Sequence, residues 1–164
     1  MRDRAVNRKV PSPPSGEVGA QRRVGAADPP RTSRAWQWLG LTLVDSGEGY
    51  ATVEMTATED MGNQSGFVHG GMISTLADSA MGRSLRTIVP GVARAMSFDL
   101  KLSFISAARI GETLRATGRV IHAGQRTMVA ECRVEGKGER LIATASATFA
   151  VTREKGITQS PDAD

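Results

Sequence analysis

The chain of 164 residues is long enough for one domain, and its 40% hydrophobic content is sufficient to form a core. No apolar run is long enough to span a bilayer, so we expect no membrane partner. The formal net charge of +4 comes from residues 1–35, which hold eight Lys or Arg against three Asp or Glu, whereas the remainder holds thirteen against fourteen. A nearly neutral body does not indicate a nucleic-acid-binding face.

The cysteine and histidine content excludes two further classes of site. A single cysteine, Cys132, cannot form an internal disulfide and suits a reducing compartment, so we predict a cytoplasmic protein. The two histidines and this cysteine lack the spacing of zinc ligands, and we predict neither a metal nor a cofactor. The chain also lacks a G-x-S-x-G nucleophile elbow, which argues against an α/β-hydrolase.

Both ends of the chain have the composition of tails. Residues 1–33 mix Arg, Pro, Gly and Ser without hydrophobic periodicity, which predicts a disordered basic tail. They lack the apolar core of a secretory signal, their prolines and acidic residues argue against a transit peptide, and a miscalled start site explains them equally well. We place one domain at residues 34–152, beginning with a short helix or turn around Trp36 and Trp38, and a polar tail at residues 153–164.

Alternating apolar and polar residues predict strands on both sides of one helical segment. Two strands surround the turn at residues 45–49. Four more follow the helix, at residues 97–104, 113–121, 127–134 and 141–151. In the first of these four, we expect Phe98 to face the core and Ser97 to face away from the helix. The order predicts an α+β fold in which a helix packs on one face of an antiparallel meander.

The helical segment carries one candidate catalytic group. Apolar residues recur at helical spacing over residues 72–88 and cover about half of the circumference, and a Pro-Gly pair then ends the helix. Ser74, Asp78 and Gly82 lie four residues apart and form a stripe beside the apolar face. On its own, Asp78 would also suit the solvated side of an amphipathic helix.

A polar turn and a glycine corner precede this helix. Asn63 is followed by the run His69, Gly70 and Gly71. The two glycines allow a sharp turn and the close approach of a ligand, and unpaired amides at a helix start can donate to an oxyanion or a carbonyl oxygen. The sequence therefore offers N–H donors and, eight residues after Gly70, the carboxylate of Asp78.

This pattern of Asn, His-Gly-Gly and a helical Asp resembles the signature of hotdog-fold acyl-CoA thioesterases, in particular the PaaI-like group. The similarity extends over roughly residues 34 to 152. It implies a curled antiparallel sheet wrapped around one long central helix. It also implies an enzyme that hydrolyses an acyl- or arylacyl-CoA to the free acid and CoA, with a backbone oxyanion hole and help from a carboxylate.

The resemblance also implies roles for individual residues. Gly70 would supply the oxyanion N–H, and Asp78 would be the nucleophile or the general base. Asn63 would position the water or the thioester, and His69 belongs to the same catalytic motif. Ser97 matches a serine that assists the carboxylate in some relatives.

Coenzyme A carries phosphates, so we expect basic residues beside its binding site. Arg126, in the hairpin after a Gly-Gln pair, is the best candidate, and Arg119 is the second. Gly71 completes the set of candidate CoA-binding residues, because it permits close approach to the backbone. Exposed arginines without a ligand are common, so this assignment is a hypothesis.

The spacing of the candidate catalytic residues predicts self-association. A helix rises by ~1.5 Å per residue, which separates Gly70 from Asp78 by about 12 Å. An oxyanion donor and a nucleophile must each lie ~3 Å from the reacting group. Two chains related by a twofold axis can meet this requirement, so we predict a homodimer or a homotetramer with a site shared between subunits.

Two other functions remain as alternatives. Hotdog hydratases and dehydratases use a His with an acidic residue for proton transfer at carbon, and His69 with Asp78 would suit that chemistry. A non-catalytic acyl-CoA-binding protein is the other. The acyl group itself is left open, since aryl-acetyl and medium-chain groups both fit the resemblance.

Overall fold

The computed structural model describes residues 33–88 and 92–153, so the predicted tails, apart from Ser33 and Arg153, and the Pro-Gly pair after the helix lie outside the described residues. No helix in these two ranges has both the length and the apolar character needed to cross a membrane. The elements are α1 (Arg34–Trp38), β1 (Thr42–Gly47), β2 (Tyr50–Thr56), a 3-10 turn (Glu59–Met61), α2 (Gly70–Ile88), β3 (Val92–Phe104), β4 (Thr113–Ala123), β5 (Thr127–Glu135), a second 3-10 turn (Lys137–Glu139) and β6 (Leu141–Arg153).

All six strands pair antiparallel in one sheet, in the order β1-β2-β4-β5-β6-β3. Strands β4, β5 and β6 form a meander, as predicted. Strand β3 departs from a simple meander, because it crosses to the far side of the sheet and pairs with β6, with Leu100 opposite Ala147. Strands β1 and β3 are therefore the two edges of the sheet.

Helix α2 packs against the sheet with the face that its periodicity predicts. It contacts all six strands, β4 and β2 most extensively, and so lies across the width of the sheet. The predicted α+β arrangement, one long helix against a curled antiparallel sheet, is confirmed. The buried residues of α2 are Ile73, Leu76, Ala77, Ala80, Met81, Ser84 and Leu85.

The helix and strand β4 approach each other at Gly118. A Cβ atom at this position would lie 2.6 Å from the backbone carbonyl of Ala80 and from the amide nitrogen of Met81. Real Cβ atoms do not approach backbone so closely, so only glycine fits here. The absence of one side chain lets α2 lie directly on the sheet, and the position of Asp78, two residues before Ala80, depends on this contact.

The last strands bury small and sulfur-containing side chains against the helix. Ala143, Ala147 and Phe149 of β6 are buried, as the alternation in the sequence predicts. Cys132 of β5 is also buried, and burial raises the pKa of its thiol to about 12. Cys132 therefore packs in the core and is unsuited to act as a nucleophile, because a thiol with so high a pKa holds little thiolate at neutral pH.

Strand β3 presents its side chains differently from the prediction. Phe98 is 65% exposed, so it does not face the core. Ser97 lies against α2 within hydrogen-bonding reach of Asp78, so it does not face away from the helix. The predictions for both residues were wrong. The register of β3 against β6 shifts between Ser97 and Asp99, and such an irregularity breaks the strict alternation on which the predictions depended.

The predicted short helix is present as α1, and it docks on the body. The Ser33 side chain accepts a hydrogen bond from the Trp36 amide at 3.3 Å and caps the helix. Trp36 packs against the core and Leu39 is buried, whereas Trp38 is exposed. One of the two tryptophans therefore attaches α1 to the domain.

We predict that Gly118→Ala lowers the free energy of unfolding by about 2 kcal/mol, because the added methyl group overpacks the contact with α2. In a chain of this size the loss corresponds to roughly 4–8 °C in Tm, measurable by thermal unfolding followed by circular dichroism.

The matched control is Gly82→Ala on the same helix. A Cβ atom there meets only the Phe149 ring, at 3.9 Å, which is an ordinary contact. This variant should be as stable as the wild type or slightly more stable, because alanine favours helix. Equal Tm values for the two variants would contradict the close approach at Gly118.

Candidate active site

The start of α2 is held by a histidine. The Gly71 N–H donates to Nδ1 of His69 at 3.0 Å, and the His69 carbonyl accepts from the Met72 amide at 2.9 Å. His69 thus caps the helix with both its ring and its backbone. Because Nδ1 accepts, the ring carries its proton on Nε2, a tautomer assigned from the hydrogen bond. The role of His69 seen in the structure is to set the shape of the corner.

The backbone N–H of Gly70 is available as a hydrogen-bond donor at this corner. It donates to no acceptor within the described part of the chain, while its neighbours Gly71 and His69 use their amides in hydrogen bonds. A Cβ atom on Gly70 would lie 3.0 Å from the ring of Phe104, so a larger residue would push that ring aside. The geometry agrees with the predicted need for glycine and a free N–H at this position.

Asn63 is oriented by its own turn. Its Oδ1 accepts hydrogen bonds from the amides of Ser65 at 2.9 Å and Phe67 at 3.2 Å. This side-chain turn occupies the acceptor of the amide group and leaves the Nδ2 hydrogens as donors. Asn63 and Gly70 line the same cleft, with a volume of about 410 Å³, whose other walls include Phe67, Phe104 and Ile105. Two residues with available N–H donors therefore line a largely apolar cleft, which we call the donor cleft.

Asp78 lies in a different cleft. This second cleft, the carboxylate cleft, has a volume of about 820 Å³ and is bounded by α2, β3 and α1. Asp78 is half-buried, and its Oδ1 is buried without a hydrogen-bond partner among the residues described. An unsatisfied buried carboxylate oxygen is costly, and its presence here is typical of a functional group that awaits a ligand.

The environment of Asp78 shifts its protonation. Burial raises the pKa of the carboxyl group above the ordinary value of 3.8, because the charged form loses solvation. The Ser97 side chain hydrogen-bonds with the carboxyl group and opposes this rise, because it stabilises the charged form. A carboxylate with a raised pKa is a stronger base than an exposed aspartate, as a general base requires.

The two clefts do not meet within one chain. Gly70 is the first residue of α2 and Asp78 lies eight residues further along it, about 12 Å by the helical rise. The structure therefore brings Asn63 together with Gly70 and Asp78 together with Ser97, but it does not bring the two pairs together.

The candidate CoA-binding residues lie outside both clefts. Arg126 is exposed at the β4–β5 turn, where its carbonyl accepts a hydrogen bond from Val151. Arg119 is exposed on β4 and lies over the Tyr50 ring, 5.6 Å from its centroid. Gly71 is exposed beside His69. Their assignment to CoA stays a prediction.

Three residues of the carboxylate cleft were missed by the sequence reasoning: Trp36, Arg83 and Arg86. Arg86 continues the stripe of Asp78 and Gly82 at the same four-residue spacing, and extending the stripe by one turn would have found it. Nothing local in the sequence pairs Trp36 with Arg83, because 47 positions of chain separate them.

Comparison with known proteins agrees with this geometry. The sequence profile of the thioesterase superfamily matches residues 65–143. The Escherichia coli acyl-coenzyme A thioesterase PaaI is 32% identical over 106 residues, which cover 64% of this chain and 73% of that protein. A Pseudomonas aeruginosa relative is 38% identical over 87 residues. These residues cover 53% of this chain and 64% of the relative, so this chain spans slightly less than two thirds of the relative's length.

Solved structures give the same result. The structure of the E. coli PaaI protein superposes with a TM-score of 0.69 at 28% identity, covering 73% of this chain and 85% of that one. A Streptococcus mutans protein solved with bound acetyl CoA superposes with a TM-score of 0.64 at 27% identity, covering 69% and 89%. From these matches and the arrangement of Asn63, Gly70 and Asp78, the chain belongs to the thioesterase superfamily, as a PaaI-like member with the hotdog fold.

Proposed function

We propose that this protein hydrolyses the thioester of an acyl- or arylacyl-CoA to the free acid and CoA. The observation that carries the proposal is Asp78, a half-buried carboxylate with a raised pKa and an unpaired buried oxygen, next to Ser97. The activity in the name of the E. coli relative and the acetyl CoA bound to the S. mutans protein support the choice of substrate.

The donor cleft has the groups needed to polarise a thioester carbonyl. The Gly70 N–H and the Nδ2 of Asn63 can both donate to the carbonyl oxygen, whose negative charge grows as the carbon becomes tetrahedral. The apolar walls of the cleft lower the local polarity and so strengthen both hydrogen bonds. The engagement of Oδ1 of Asn63 by the amides of Ser65 and Phe67 supports the proposal that this side chain acts as a positioning donor.

Asp78 can act in either of two ways. As a general base it takes a proton from water, the water oxygen bonds to the carbonyl carbon, and the C–S bond breaks to release the CoA thiolate, which receives the proton. As a nucleophile it attacks the carbonyl carbon directly, the C–S bond breaks to release the CoA thiolate, and water then hydrolyses the resulting anhydride to the free acid and the Asp78 carboxylate, with a proton going to the thiolate. Both routes need the ionised carboxylate, and Ser97 favours that form.

Two subunits would complete the site. The donor cleft and the carboxylate cleft are separate in one chain, and the edge strand β3 exposes large apolar side chains, including Met96 and Phe98 at 66% and 65% exposure. An unpaired edge strand with apolar side chains favours association with another strand. We therefore propose a homodimer, or a homotetramer of such dimers, in which the donors of one subunit meet Asp78 of the other.

Other parts of the proposal depend less on the geometry. Arg126, Arg119 and Gly71 remain the candidates for contacts with CoA. The single buried Cys132 supports a reducing compartment such as the cytoplasm.

Thiol release from a panel of saturated acyl-CoAs tests the activity and identifies the preferred acyl group. A hydratase has no use for a saturated substrate, so the same panel tests that alternative.

We predict that Asp78→Asn lowers kcat roughly a hundredfold or more, because it removes the general base or nucleophile. The measurement is thiol release at saturating acyl-CoA. Asp60→Asn, an exposed residue of the first 3-10 turn, is the control and should behave as the wild type. Wild-type turnover in the Asp78 variant would remove this residue from the mechanism.

The same substitution should raise Tm at pH 7, which separates loss of function from loss of fold. A carboxyl group whose folded pKa is raised destabilises the native state when ionised, and this penalty disappears as pH falls toward the unfolded value of 3.8. The difference in Tm between Asp78→Asn and the wild type should therefore be largest above the pKa that Asp78 has in the folded state, and it should shrink toward pH 4.

We predict that Ser97→Ala shifts the acid limb of the pH profile of kcat/KM to higher pH. The Ser97 hydrogen bond lowers the pKa of Asp78, so its loss raises that pKa, and the active ionised form is then reached only at higher pH. Ser103→Ala, an exposed serine on the same strand, is the control. An acid limb that stays in place would mean that Ser97 does not act through Asp78.

Mixing of two inactive variants tests the shared site. In a mixed dimer of Asn63→Ala and Asp78→Asn subunits, one site receives both substitutions and the other receives neither. Random reassortment makes about half of the dimers mixed, so about a quarter of the wild-type activity should return. If both residues served one site from the same chain, every site would keep one substitution, and exchange shown by mass spectrometry of tagged subunits would restore nothing.

A further inference from the structure

The carboxylate cleft runs across helix α2 from strand β3 to helix α1. A helix turns by about 100° per residue, so Arg83 lies about 140° around the axis from Asp78. Gly82 and Ser79, at about 40° and about 100°, lie between these two residues and form the floor of the cleft. Asp78 meets β3 through Ser97, whereas Arg83 meets α1. The proposed hydrolysis uses only the side of the cleft that holds Asp78.

Trp36 forms the wall of the cleft on the side of α1. Its ring is half-buried and packs against the core, and the guanidinium of Arg83 lies over it, 4.4 Å from the ring centroid. A guanidinium is attracted to the face of an indole, so Arg83 holds the ring in place. The backbone of Trp36 is also fixed, because its carbonyl accepts from the Leu41 amide at 2.9 Å and its amide donates to Ser33 at 3.3 Å. A ligand that crosses the cleft therefore meets a ring that is held from two directions.

The floor between Asp78 and Trp36 is open. A Cβ atom at Gly82 would meet only the Phe149 ring, at 3.9 Å, so packing does not require glycine at this position. Ala95 lines the cleft from β3 with no more than a methyl group. These small residues leave an apolar space that starts beside Asp78, crosses the helix and ends at the Trp36 ring.

We propose that this space binds the acyl group of the substrate and that Trp36 ends it, so that the protein prefers CoA thioesters of short acyl groups. The inference depends on the thioesterase activity proposed above, because that activity places the thioester carbon beside Asp78. The pantetheine arm of CoA is long and leads to phosphates that need solvent, so it fits poorly against a half-buried wall. Arg83 is a positioning residue that acts through Trp36.

The test is the dependence of kcat/KM on acyl-chain length, measured by thiol release from acetyl-, hexanoyl- and dodecanoyl-CoA. We expect the wild type to prefer hexanoyl-CoA to dodecanoyl-CoA about tenfold or more, because a single misfitting methylene has such an effect in an apolar pocket. Trp36→Ala removes the wall and should reduce this preference about tenfold. Trp36→Phe keeps an aromatic ring and should retain most of the preference.

The matched control is Trp38→Ala, which removes the same side chain from the same helix. Trp38 is 64% exposed and does not line the cleft, so this variant should keep the wild-type preference. Arg83→Met removes the cation from the Trp36 ring and should weaken the preference, whereas Arg83→Lys keeps a cation and should restore it. A wild-type preference in Arg83→Met would contradict the positioning role of Arg83.

A second variant decides the question if circular dichroism shows that Trp36→Ala does not fold. Gly82→Leu has room for its Cβ atom, and the rest of the side chain would occupy the floor of the cleft. It should lower kcat/KM for hexanoyl-CoA about tenfold relative to acetyl-CoA, because the longer chain loses its space. An equal effect on the two substrates would overturn the proposal.

The remaining outcomes are also decisive. A wild type that hydrolyses dodecanoyl-CoA at least as well as hexanoyl-CoA, or a folded Trp36→Ala variant with the wild-type preference, disproves this inference and leaves the thioesterase activity standing. If Trp36→Ala slows both substrates equally and weakens inhibition by free CoA, the space binds the pantetheine arm and the inference is wrong. If no acyl-CoA releases thiol, the proposed activity fails, and the inference fails with it.

Discussion

The structure depends on the direct contact between helix α2 and strand β4. At Gly118 the strand has no side chain, so the backbone of α2 lies against the sheet with no room for a methyl group. Helix α2 is continuous from Gly70 to Ile88. This one contact therefore also sets the distance of the helix from the sheet, and its rotation about its own axis, for both parts of the candidate site. The donor at Gly70 and the carboxylate of Asp78 are thus positioned by a single rigid element, which is more accurate than positioning by loops.

The site combines two opposite electrostatic requirements. In the proposed reaction, Gly70 and Asn63 donate N–H groups to a developing negative charge, whereas Asp78, which is partly withheld from water, must itself be negative. Placing both on one chain at hydrogen-bonding distance would let the donors neutralise the base. In the proposed reaction, the separation of Gly70 from Asp78 along α2 leaves both groups available until substrate arrives. On the proposal that Asp78 is catalytic, its unfavourable burial is a local loss of stability tolerated for function, as is common at catalytic groups.

Much of the candidate site could be predicted from the sequence, because its signals are local. The periodicity of α2, the glycine corner at Gly70 and the position of Asp78 each depend on residues within a few turns of one another. The orientation of Ser97 could not be predicted, since a register shift against β6 turns its side chain toward the helix. The contact between Trp36 and Arg83, and the place of β3 at the far edge, depend on the folding of distant segments, which no local pattern records.

The crossing of β3 to the far edge has a consequence for synthesis of the chain. Strand β3 ends at Phe104, but its pairing partner β6 begins only at Leu141. During translation at about 5–20 residues per second, β3 therefore waits a few seconds for its partner, with the backbone N–H and C=O groups that later bond to β6 still unpaired. An apolar strand without a partner is prone to aggregation, so a nascent chain of this protein has its most vulnerable interval between these two strands. Protection by a chaperone would be most useful at this stage, before the sheet can close.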